Sequence, residues 1–216
     1  MIIGVSGIAG SGKSVFANFL VEDHGFEVLS LADPLKRICR EVFDFTEEQL
    51  WGPSEKRNEP DPRYPREDGT YLSARQALQL LGTEFGRACY PNVWVEYAIR
   101  MARKIEQNYY LHSEPRSTSG TKVYQGRYYK DTEAERWIAI PDVRFRNEID
   151  GIRQAGGKLV RIRRPGAGLS GAAGVHASEA EQASIPDDVF DLVIENNGTL
   201  EELRAKAAAA LPILRP

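Results

Sequence analysis

The chain opens with a short apolar run that leads directly into a glycine-rich octapeptide. Ile2-Ile3-Gly4-Val5 is predicted as a buried strand, and residues 7–14 (GIAGSGKS) match the pattern G-x-x-x-x-G-K-[ST] at every fixed position. A helical pattern follows over 14–24, and Gly25 is its predicted stop. A strand, a glycine-rich loop and a helix in this order predict an α/β fold.

The octapeptide is typical of a loop that holds the phosphates of a nucleotide. Its glycines let backbone N–H groups converge on phosphate oxygens, and the helix that follows points its positive end at them. Lys13 would reach the β- and γ-phosphates, and the hydroxyl of Ser14 would bind Mg²⁺. We therefore predict nucleotide binding by Gly7, Ala9, Gly10, Ser11, Gly12, Lys13 and Ser14.

Strands alternate with helices along the rest of the chain, which predicts a parallel sheet covered on both faces. The further predicted strands are 26–31, 137–140, 158–163 and 189–194, and the further helices are 35–43, 73–89, 92–107, 146–155 and 199–211. Loops are predicted at 52–72 and 165–175, and an insertion with a hairpin around Gly120 is predicted at 108–134. Open sheets of this kind bind ligands beyond the carboxyl ends of their strands.

Length and composition narrow the classes of partner. The chain has 216 residues, which suits one α/β domain with insertions, and its 28 basic and 31 acidic residues leave a net charge of −3. This balance indicates neither a nucleic-acid polymer nor a membrane as partner. Cys39 and Cys89 form no C-x-x-C pair, so neither a zinc site nor a disulfide framework is indicated. We expect a soluble cytoplasmic protein with two reduced thiols.

Two polar residues follow the second predicted strand, in the sequence ADPLK at 32–36. The carboxylate of Asp33 would bind the substrate or cap the helix that begins at Pro34, and the two roles are compatible. Lys36 is either a solvated helix residue or a contact to a phosphate.

The helix predicted at 73–89 carries a polar face beside an apolar stripe of Leu78, Leu81 and Phe85. Arginine forks match phosphate oxygens, and an amide can pair with the edge of a base. A merely solvated face would more often carry Lys and Glu. We therefore predict ligand contact for the polar residues of this face, Arg75, Gln79, Thr83 and Arg87.

Asp142 follows the strand predicted at 137–140, which is the position of a carboxylate that holds Mg²⁺ directly or through water. Arg144 and Arg146 would point at the same cleft, and Glu148 could pair with one of them. The alternative is a strand-end turn with solvated arginines, but the phosphate-binding loop favours a functional role.

Arginines also end the strand predicted at 158–163 and lead into a Gly/Ala-rich loop. A mobile lid at 164–179 would exclude water and bring cations onto the transferred phosphoryl group. Arg164 is the better lid candidate and Arg163 the second, because alternation sends Arg161 and Arg163 to one side of the strand. Near the end of the lid, His176 is interpreted as an ordinary residue rather than a general base. Glu179 is expected to pair with an arginine or begin a helix.

Five motifs together, GIAGSGKS, LADPLK, SARQALQLLGTEFGR, DVRFRNE and HASE, resemble the phage-type deoxynucleoside monophosphate kinases from the first strand to about Glu179. The resemblance implies a P-loop NTPase three-layer sandwich, with a five-stranded parallel sheet in the order 2-3-1-4-5, a helical monophosphate-binding region and a mobile lid. One domain would span 1–216. Its parts would be a core (1–33, 137–163 and 187–216), a monophosphate-binding region (34–107), the insertion (108–134) and the lid (164–179).

The resemblance also implies a reaction, in which ATP with Mg²⁺ donates its γ-phosphate to a deoxynucleoside 5′-monophosphate. The acceptor oxygen is largely ionised at neutral pH, so no strong base is required. The catalytic residues would be Lys13, Asp142, Arg144, Arg163 and Arg164, with the metal at Ser14 and Asp142. The substrate would be bound by Asp33, Lys36, Arg75, Gln79, Thr83, Arg87 and Trp94.

Other classes of nucleotide-binding protein fit the sequence less well. A kinase similar to dephospho-coenzyme A kinase shares the opening motif and an acidic residue after the second strand, but LGTEFGR and DVRF favour the monophosphate kinases. A GTPase would carry N-K-x-D, which the sequence lacks. A non-catalytic nucleotide-binding module would not need Asp142 or the lid arginines. Base preference, ribose tolerance and the number of subunits stay open, with a homodimer among the options.

Overall fold

The structure is a computed structural model that describes residues 1–107, 109–118, 121–130, 136–168, 181–182 and 184–214. Within 109–118 and 121–130 the description is confined to the backbone. The chain divides into two compact units. The core unit comprises Met1–Leu29 and Glu96–Pro216, and the helical unit comprises Ser30–Val95.

The strands and helices are numbered along the chain. The strands are β1 (Ile2–Ser6), β2 (Phe26–Val28), β3 (Pro60–Pro65), β4 (Tyr71–Ser73), β5 (Tyr109–Thr118), β6 (Thr121–Lys130), β7 (Trp137–Val143), β8 (Lys158–Arg163) and β9 (Leu192–Glu195). The helices are α1 (Lys13–His24), α2 (Asp33–Phe43), α3 (Glu47–Trp51), α4 (Ser54–Asn58), α5 (Ala74–Gln79), α6 (Val93–Glu106), α7 (Arg146–Gln154) and α8 (Leu200–Leu214). A π-helical segment, Leu80–Arg87, continues α5, and a short 3₁₀ turn occupies Asp187–Val189.

A five-stranded parallel sheet in the order β2-β7-β1-β8-β9 forms the centre of the core unit. Counted among these five strands alone, the order is 2-3-1-4-5, so the predicted topology is confirmed. The central strand β1 is buried along its whole length, because strands flank it on both sides and helices cover both faces.

Alternation along β1 sends successive residues to opposite layers of the sandwich. Ile3 and Val5 pack into a cluster that includes Phe16 of α1 and Leu203 of α8. Gly4 faces α7, where an added Cβ would lie 2.9 Å from a terminal methyl carbon of Ile152. The three-layer sandwich that the sequence predicts is therefore confirmed.

Two strand boundaries differ from the prediction in ways that matter for the site. β2 ends at Val28 rather than at residue 31, and β7 continues through Pro141 to Val143. Pro141 is tolerated because the pairing of β7 with β1 is irregular there, between Gly4↔Ile140 and Ser6↔Val143, so the missing N–H group interrupts no regular ladder. Asp142 therefore lies inside a strand, one residue before its end, and does not follow it.

The region 52–72, predicted as a loop, contains the helix α4 and the antiparallel pair β3–β4. Its high content of proline and charge suggests a loop, but a buried carboxylate organises it. Asp61 is 5% exposed and accepts hydrogen bonds from Gln49 Nε2 (2.9 Å) and from Arg63 Nε (2.9 Å) and Nη2 (2.7 Å). The Arg63 guanidinium holds the pKa of the Asp61 carboxyl well below its usual range.

The helical unit has a small apolar core of its own, built around Cys39, Phe45, Leu50, Ala74 and Ala77. Burial raises the pKa of the Cys39 thiol to about 11. Cys39 and the exposed Cys89 are both free, which confirms the expectation of two thiols.

The predicted insertion contains an antiparallel hairpin, in which β5 and β6 pair from Tyr109↔Lys130 to Thr118↔Thr121. The predicted turn residue Gly120 lies outside the described residues. Within the ranges that the structure describes, the helices are all too short or too polar to cross a membrane.

Candidate active site

The phosphate loop (residues 7–14) connects the carboxyl end of the central strand β1 to the start of α1. Gly12 lies in the left-handed region, at φ 97°, and an added Cβ would collide with the side-chain amide of Asn196. The helix then begins at Lys13, so its unpaired N–H groups face the loop. The ammonium group of Lys13 lies 3.4 Å from the carbonyl oxygen of Ile8, which holds it against the loop.

The end of the neighbouring strand β8 packs tightly against the phosphate loop. A Cβ on Gly7 would lie 2.5 Å from Ser11 Oγ and 2.6 Å from the carbonyl oxygen of Ile162 in β8. Ser11 is fully buried, and its hydroxyl has no hydrogen-bond partner among the described residues. The Ser11 hydroxyl is therefore not accessible to a ligand, and the predicted contact of Ser11 with a phosphate would come from its backbone.

Two buried amide side chains that the sequence reasoning missed hold this loop and the strand beneath it. Asn196, 5% exposed, follows β9 and donates from Nδ2 to the carbonyl oxygen of Ser11 at 2.8 Å. Gln182, 1% exposed, donates from Nε2 to Ser6 Oγ (3.2 Å) and to the carbonyl oxygen of Val143 (3.1 Å). Asn196 was detectable, because it follows the carboxyl end of a predicted strand as Asp33 and Asp142 do.

Asp142 lies near the end of the strand beside β1, where Ser6 pairs with Val143. Its side chain is half-buried between the buried residues Pro141 and Val143. The sequence thus places a carboxylate at the same edge of the sheet as the phosphate loop.

Arg144 follows directly, and its backbone N–H group donates to Glu148 Oε2 at 2.7 Å. Glu148, 4% exposed, also accepts from the backbone of Phe145 at 3.1 Å. A carboxylate that accepts two N–H groups at a helix start is strongly favoured by the helix dipole. Glu148 therefore fixes the chain that carries Arg144, and Arg146 is paired with Asp150 at 3.2 Å.

The arginines of β8 differ in their surroundings. Arg161 is 8% exposed and donates to the carbonyl oxygens of Ile185 (2.6 Å) and Gln182 (2.8 Å) and to Asp187 Oδ1 (2.8 Å). Arg163 also pairs with Asp187, so the two arginines lie on one side of the strand as the alternation predicts. Arg164 is exposed and makes no ion pair with the residues described.

A cavity of about 370 Å³ lies between the start of the phosphate loop and the end of β8. Its volume is in the range of small-molecule sites. It is lined by Gly7, Ile8, Arg161, Ile162, Arg163, Arg164, Pro165, Gln182 and Glu195. Most of the predicted lid, 169–179 with His176 and Glu179, lies outside the described residues.

The chemistry of Ser14 and Asp142 fits Mg²⁺. Among the described residues there is no group of three or more His, Cys, Asp or Glu side chains that could hold a metal by themselves. Magnesium does not need such a cage, since it usually takes one or two protein oxygens together with substrate phosphates and water. A hydroxyl at the start of α1 and a carboxylate near the end of β7 are donors of this kind.

The remaining predicted site residues lie in the helical unit. Asp33 is the first residue of α2 and accepts from the backbone of Ser30 at 3.3 Å, while Ala32 occupies the cap position. Lys36 lies over the ring of Trp51, 5.3 Å from its centroid. Arg75 Nη2 donates to Ser54 Oγ at 3.4 Å. Arg87 and Gln79 are half-buried.

The expectation that Phe85 belongs to a core stripe is wrong, because Phe85 is 65% exposed. The stripe assumes 3.6 residues per turn, but the hydrogen bonds become π-helical from Leu80 onwards. A π-helix turns less per residue, so positions that coincide on an α-helix separate. Arg75 and Gln79 lie in the α-helical part, α5, and so keep the predicted spacing, whereas Thr83 lies in the π-helical segment.

Trp94, predicted to flank the nucleoside, packs against the π-helical segment. Its Nε1 donates to the carbonyl oxygen of Gly82 at 2.8 Å. A Cβ on Gly86 would overlap the indole and would lie 2.8 Å from its Cε2 atom. Gly86 therefore makes room for Trp94, whereas a Cβ on Gly82 would lie 3.0 Å from Leu35 Cδ1. The nucleoside contact stays a prediction.

A parallel sheet in this order, with a phosphate loop after its central strand, is the architecture of a P-loop kinase. The solved structure of shikimate kinase from Aquifex aeolicus has a TM-score of 0.50, at 12% identity, over 98% of this chain and 96% of that chain, which shows the fold alone. Dephospho-CoA kinase from Campylobacter jejuni gives a TM-score of 0.47 at 14% identity, over 98% of this chain and 95% of that one.

Sequence similarity defines the family. The chain is 34% identical over 202 residues to the "Putative deoxynucleotide monophosphate kinase" of Acanthamoeba polyphaga mimivirus, a match that covers 94% of this chain and 91% of that protein. The chain therefore belongs to the deoxynucleotide monophosphate kinase family, and the resemblance drawn from its motifs is confirmed. No protein-family model matches it.

Proposed function

We propose that the chain transfers the γ-phosphoryl group of ATP to a deoxynucleoside 5′-monophosphate, forming the diphosphate and ADP. The observation that carries this proposal is the 34% identity with the mimivirus protein over 94% of the chain.

On the donor side, the backbone of the phosphate loop and the ammonium group of Lys13 would bind the β- and γ-phosphates. The N–H groups at the start of α1 add a positive potential that costs no reorganisation during the reaction. Arg144, Arg163 and Arg164 would neutralise the charge that spreads over the oxygens of the transferred group. When bound by Ser14 and Asp142, Mg²⁺ would neutralise further phosphate charge.

On the acceptor side, Asp33, Lys36, Arg75, Gln79, Thr83, Arg87 and Trp94 would bind the monophosphate. The acceptor is itself a phosphate oxygen, with a second pKa of about 6 for the free group, so it is already a nucleophile at neutral pH. The reaction therefore depends on positioning and charge neutralisation rather than on a general base.

The acceptor is identified by a coupled assay that measures ADP release with every deoxy- and ribonucleoside monophosphate and with dephospho-coenzyme A. We expect turnover with one or more of the deoxynucleoside monophosphates. Turnover with dephospho-coenzyme A alone would overturn the proposal.

Replacement of Lys13 tests the donor site. Lys13→Ala should abolish turnover and leave a folded protein, because the half-buried side chain makes a long hydrogen bond, of 3.4 Å, to the carbonyl oxygen of Ile8 and lies outside the apolar core. Lys158→Ala is a matched control, since Lys158 begins β8 and so lies at the opposite edge of the sheet from the loop. Near-normal turnover in Lys13→Ala would sink the assignment of this loop as the donor site.

A further inference from the structure

Two arginines of the helical unit converge on one serine hydroxyl. Arg57 Nη2 donates to Ser54 Oγ at 3.2 Å, and Arg75 Nη2 donates to the same oxygen at 3.4 Å. Two guanidinium groups that share one acceptor lie within a few ångströms of each other, and their like charges repel.

The charge of Arg57 is not balanced within the described part of the chain. Arg57 makes no ion pair there, and its Nε atom is buried without a hydrogen-bond partner. Its neighbour on the same helix differs, because Lys56 pairs with Glu59 at 3.2 Å. A buried N–H group without an acceptor is unfavourable, and an added anion would balance the charge of Arg57.

The element that carries Arg75 is firmly placed. Arg75 lies in α5, whose start is fixed by a capping box between Ser73 and Gln76. Ala74 and Ala77 anchor the same helix in the core of the helical unit. The backbone of Arg75 is therefore set before any ligand arrives, which lowers the free energy that binding must supply for ordering.

We propose that Ser54, Arg57 and Arg75 together bind a phosphate monoester dianion. Two guanidinium forks offer parallel N–H donors to a tetrahedral oxyanion, and the hydroxyl can turn its proton toward a third oxygen. Two positive charges match the charge of a monoester above its second pKa of about 6. If the proposed function holds, on which this identification of the ligand rests, the dianion is the 5′-phosphate of the acceptor.

Ser54 and Arg57 lie in the region that the sequence predicts as a loop, so neither was a candidate. Arg75 was predicted from its place on a helical face. The convergence of the two guanidinium groups on Ser54 Oγ adds Ser54 and Arg57 to Arg75 as proposed substrate-binding residues.

The decisive measurement is the affinity for the best deoxynucleoside monophosphate, by calorimetry, with the donor site filled by Mg²⁺ and a non-hydrolysable ATP analogue. Loss of a charge-assisted hydrogen bond should raise the Kd of Arg57→Gln by about 10- to 100-fold. Arg57→Lys keeps the charge but not the fork, so its Kd should lie between those of the unaltered chain and Arg57→Gln. Arg66→Gln, at an exposed arginine of the same unit, should stay within twofold of the unaltered chain.

A purely structural role for Arg57 predicts a different pattern. In our account, the KM of the monophosphate rises with the Kd, while the KM of ATP and the thermal midpoint stay unchanged. Ser54→Ala removes an exposed hydroxyl and keeps the test valid if Arg57→Gln folds poorly; we expect its Kd to rise by about 3- to 10-fold. Binding within twofold of the unaltered chain in both variants overturns the proposal.

Inorganic phosphate, titrated into Lys13→Ala, separates this proposal from the proposed function. If phosphate binds to Lys13→Ala but not to the double variant with Arg57→Gln, the proposed phosphate site is supported. If no deoxynucleoside monophosphate is phosphorylated as well, the site stands and the proposed reaction is wrong. Arg57→Gln can also give normal turnover with an unchanged KM for the monophosphate. That result would refute the proposed phosphate site and would be consistent with the proposed reaction.

Discussion

Asn196 is predicted to hold the phosphate loop in the conformation that binds ATP. Its Nδ2 donates to the carbonyl oxygen of Ser11 at 2.8 Å, and its own backbone N–H donates to the carbonyl oxygen of Arg163 at 2.6 Å. Asn196→Ala removes the first bond and leaves a buried carbonyl group without this donor, which costs about 1–3 kcal/mol. The backbone bond at Arg163 is retained.

That free energy limits how far the loop can shift away from its binding conformation. If the free energy of the binding conformation rises by about 1–2 kcal/mol relative to other conformations of the loop, ATP binding becomes about 5- to 30-fold weaker. Asn196→Asp should weaken binding further, although the shape is preserved, because a carboxylate cannot donate to Ser11 and adds negative charge near the phosphates.

The assay is direct binding of Mg²⁺-ATP by calorimetry, with a thermal unfolding curve for each variant. Asn197→Ala is the matched control, since Asn197 is exposed beside Asn196. If the ATP affinity of Asn196→Ala stays within twofold of the unaltered chain while the thermal midpoint falls, Asn196 only stabilises the fold and our reasoning is refuted.

Two further predictions concern the helical unit. Gly86→Ala should lower the free energy of unfolding by about 1–3 kcal/mol in urea, because the new Cβ overlaps Trp94; an unchanged midpoint would contradict this packing. Asp61→Asn should destabilise the chain by about 1–3 kcal/mol at pH 7, since it breaks the fork with Arg63. The folded-state pKa of Asp61 is lowered, so its stabilisation is present above about pH 4 and is lost as the pH falls through the folded-state pKa. The difference between the unaltered chain and Asp61→Asn should therefore shrink in acid, whereas Glu67→Gln, at an exposed site, should match the unaltered chain at neutral pH.

The sequence predicts the core unit well because its signals are local. The phosphate-loop motif and four apolar runs predict the five strands, and the order of those strands is what the family resemblance implies. The bounds of β8 are predicted without error. The predicted end of β7 is less accurate. Pro141 suggests a turn, although the strand tolerates one missing N–H group there and continues to Val143.

The helical unit is harder to predict because non-local contacts organise it. The fold of 52–72 depends on a buried carboxylate, Asp61, whose partners Gln49 and Arg63 are recognised only once the chain has folded. The π-helical segment likewise makes a non-local contact, because the indole of Trp94 donates to the carbonyl group of Gly82. Periodicity at 3.6 residues per turn therefore assigns Phe85 to the wrong face.

Candidate site residues also differ in whether local sequence or non-local contacts identify them. Residues in local motifs, such as Lys13 and Asp142, are identified from the sequence, and their roles stay predictions. Gln182 and Arg57 have no local signature, whereas Asn196 has only a weak one, its place after a predicted strand. Each of these three is recognised by a hydrogen bond that joins elements separate in the sequence or by a buried polar atom.

The central claim is that the γ-phosphoryl group of ATP moves onto a deoxynucleoside monophosphate. Incubation with ATP radiolabelled in its γ-phosphate, followed by chromatographic separation of the products, follows that group directly. We predict label in the deoxynucleoside diphosphate, and none in that product with Lys13→Ala. Label released only as inorganic phosphate, with every deoxynucleoside monophosphate present, would contradict the account.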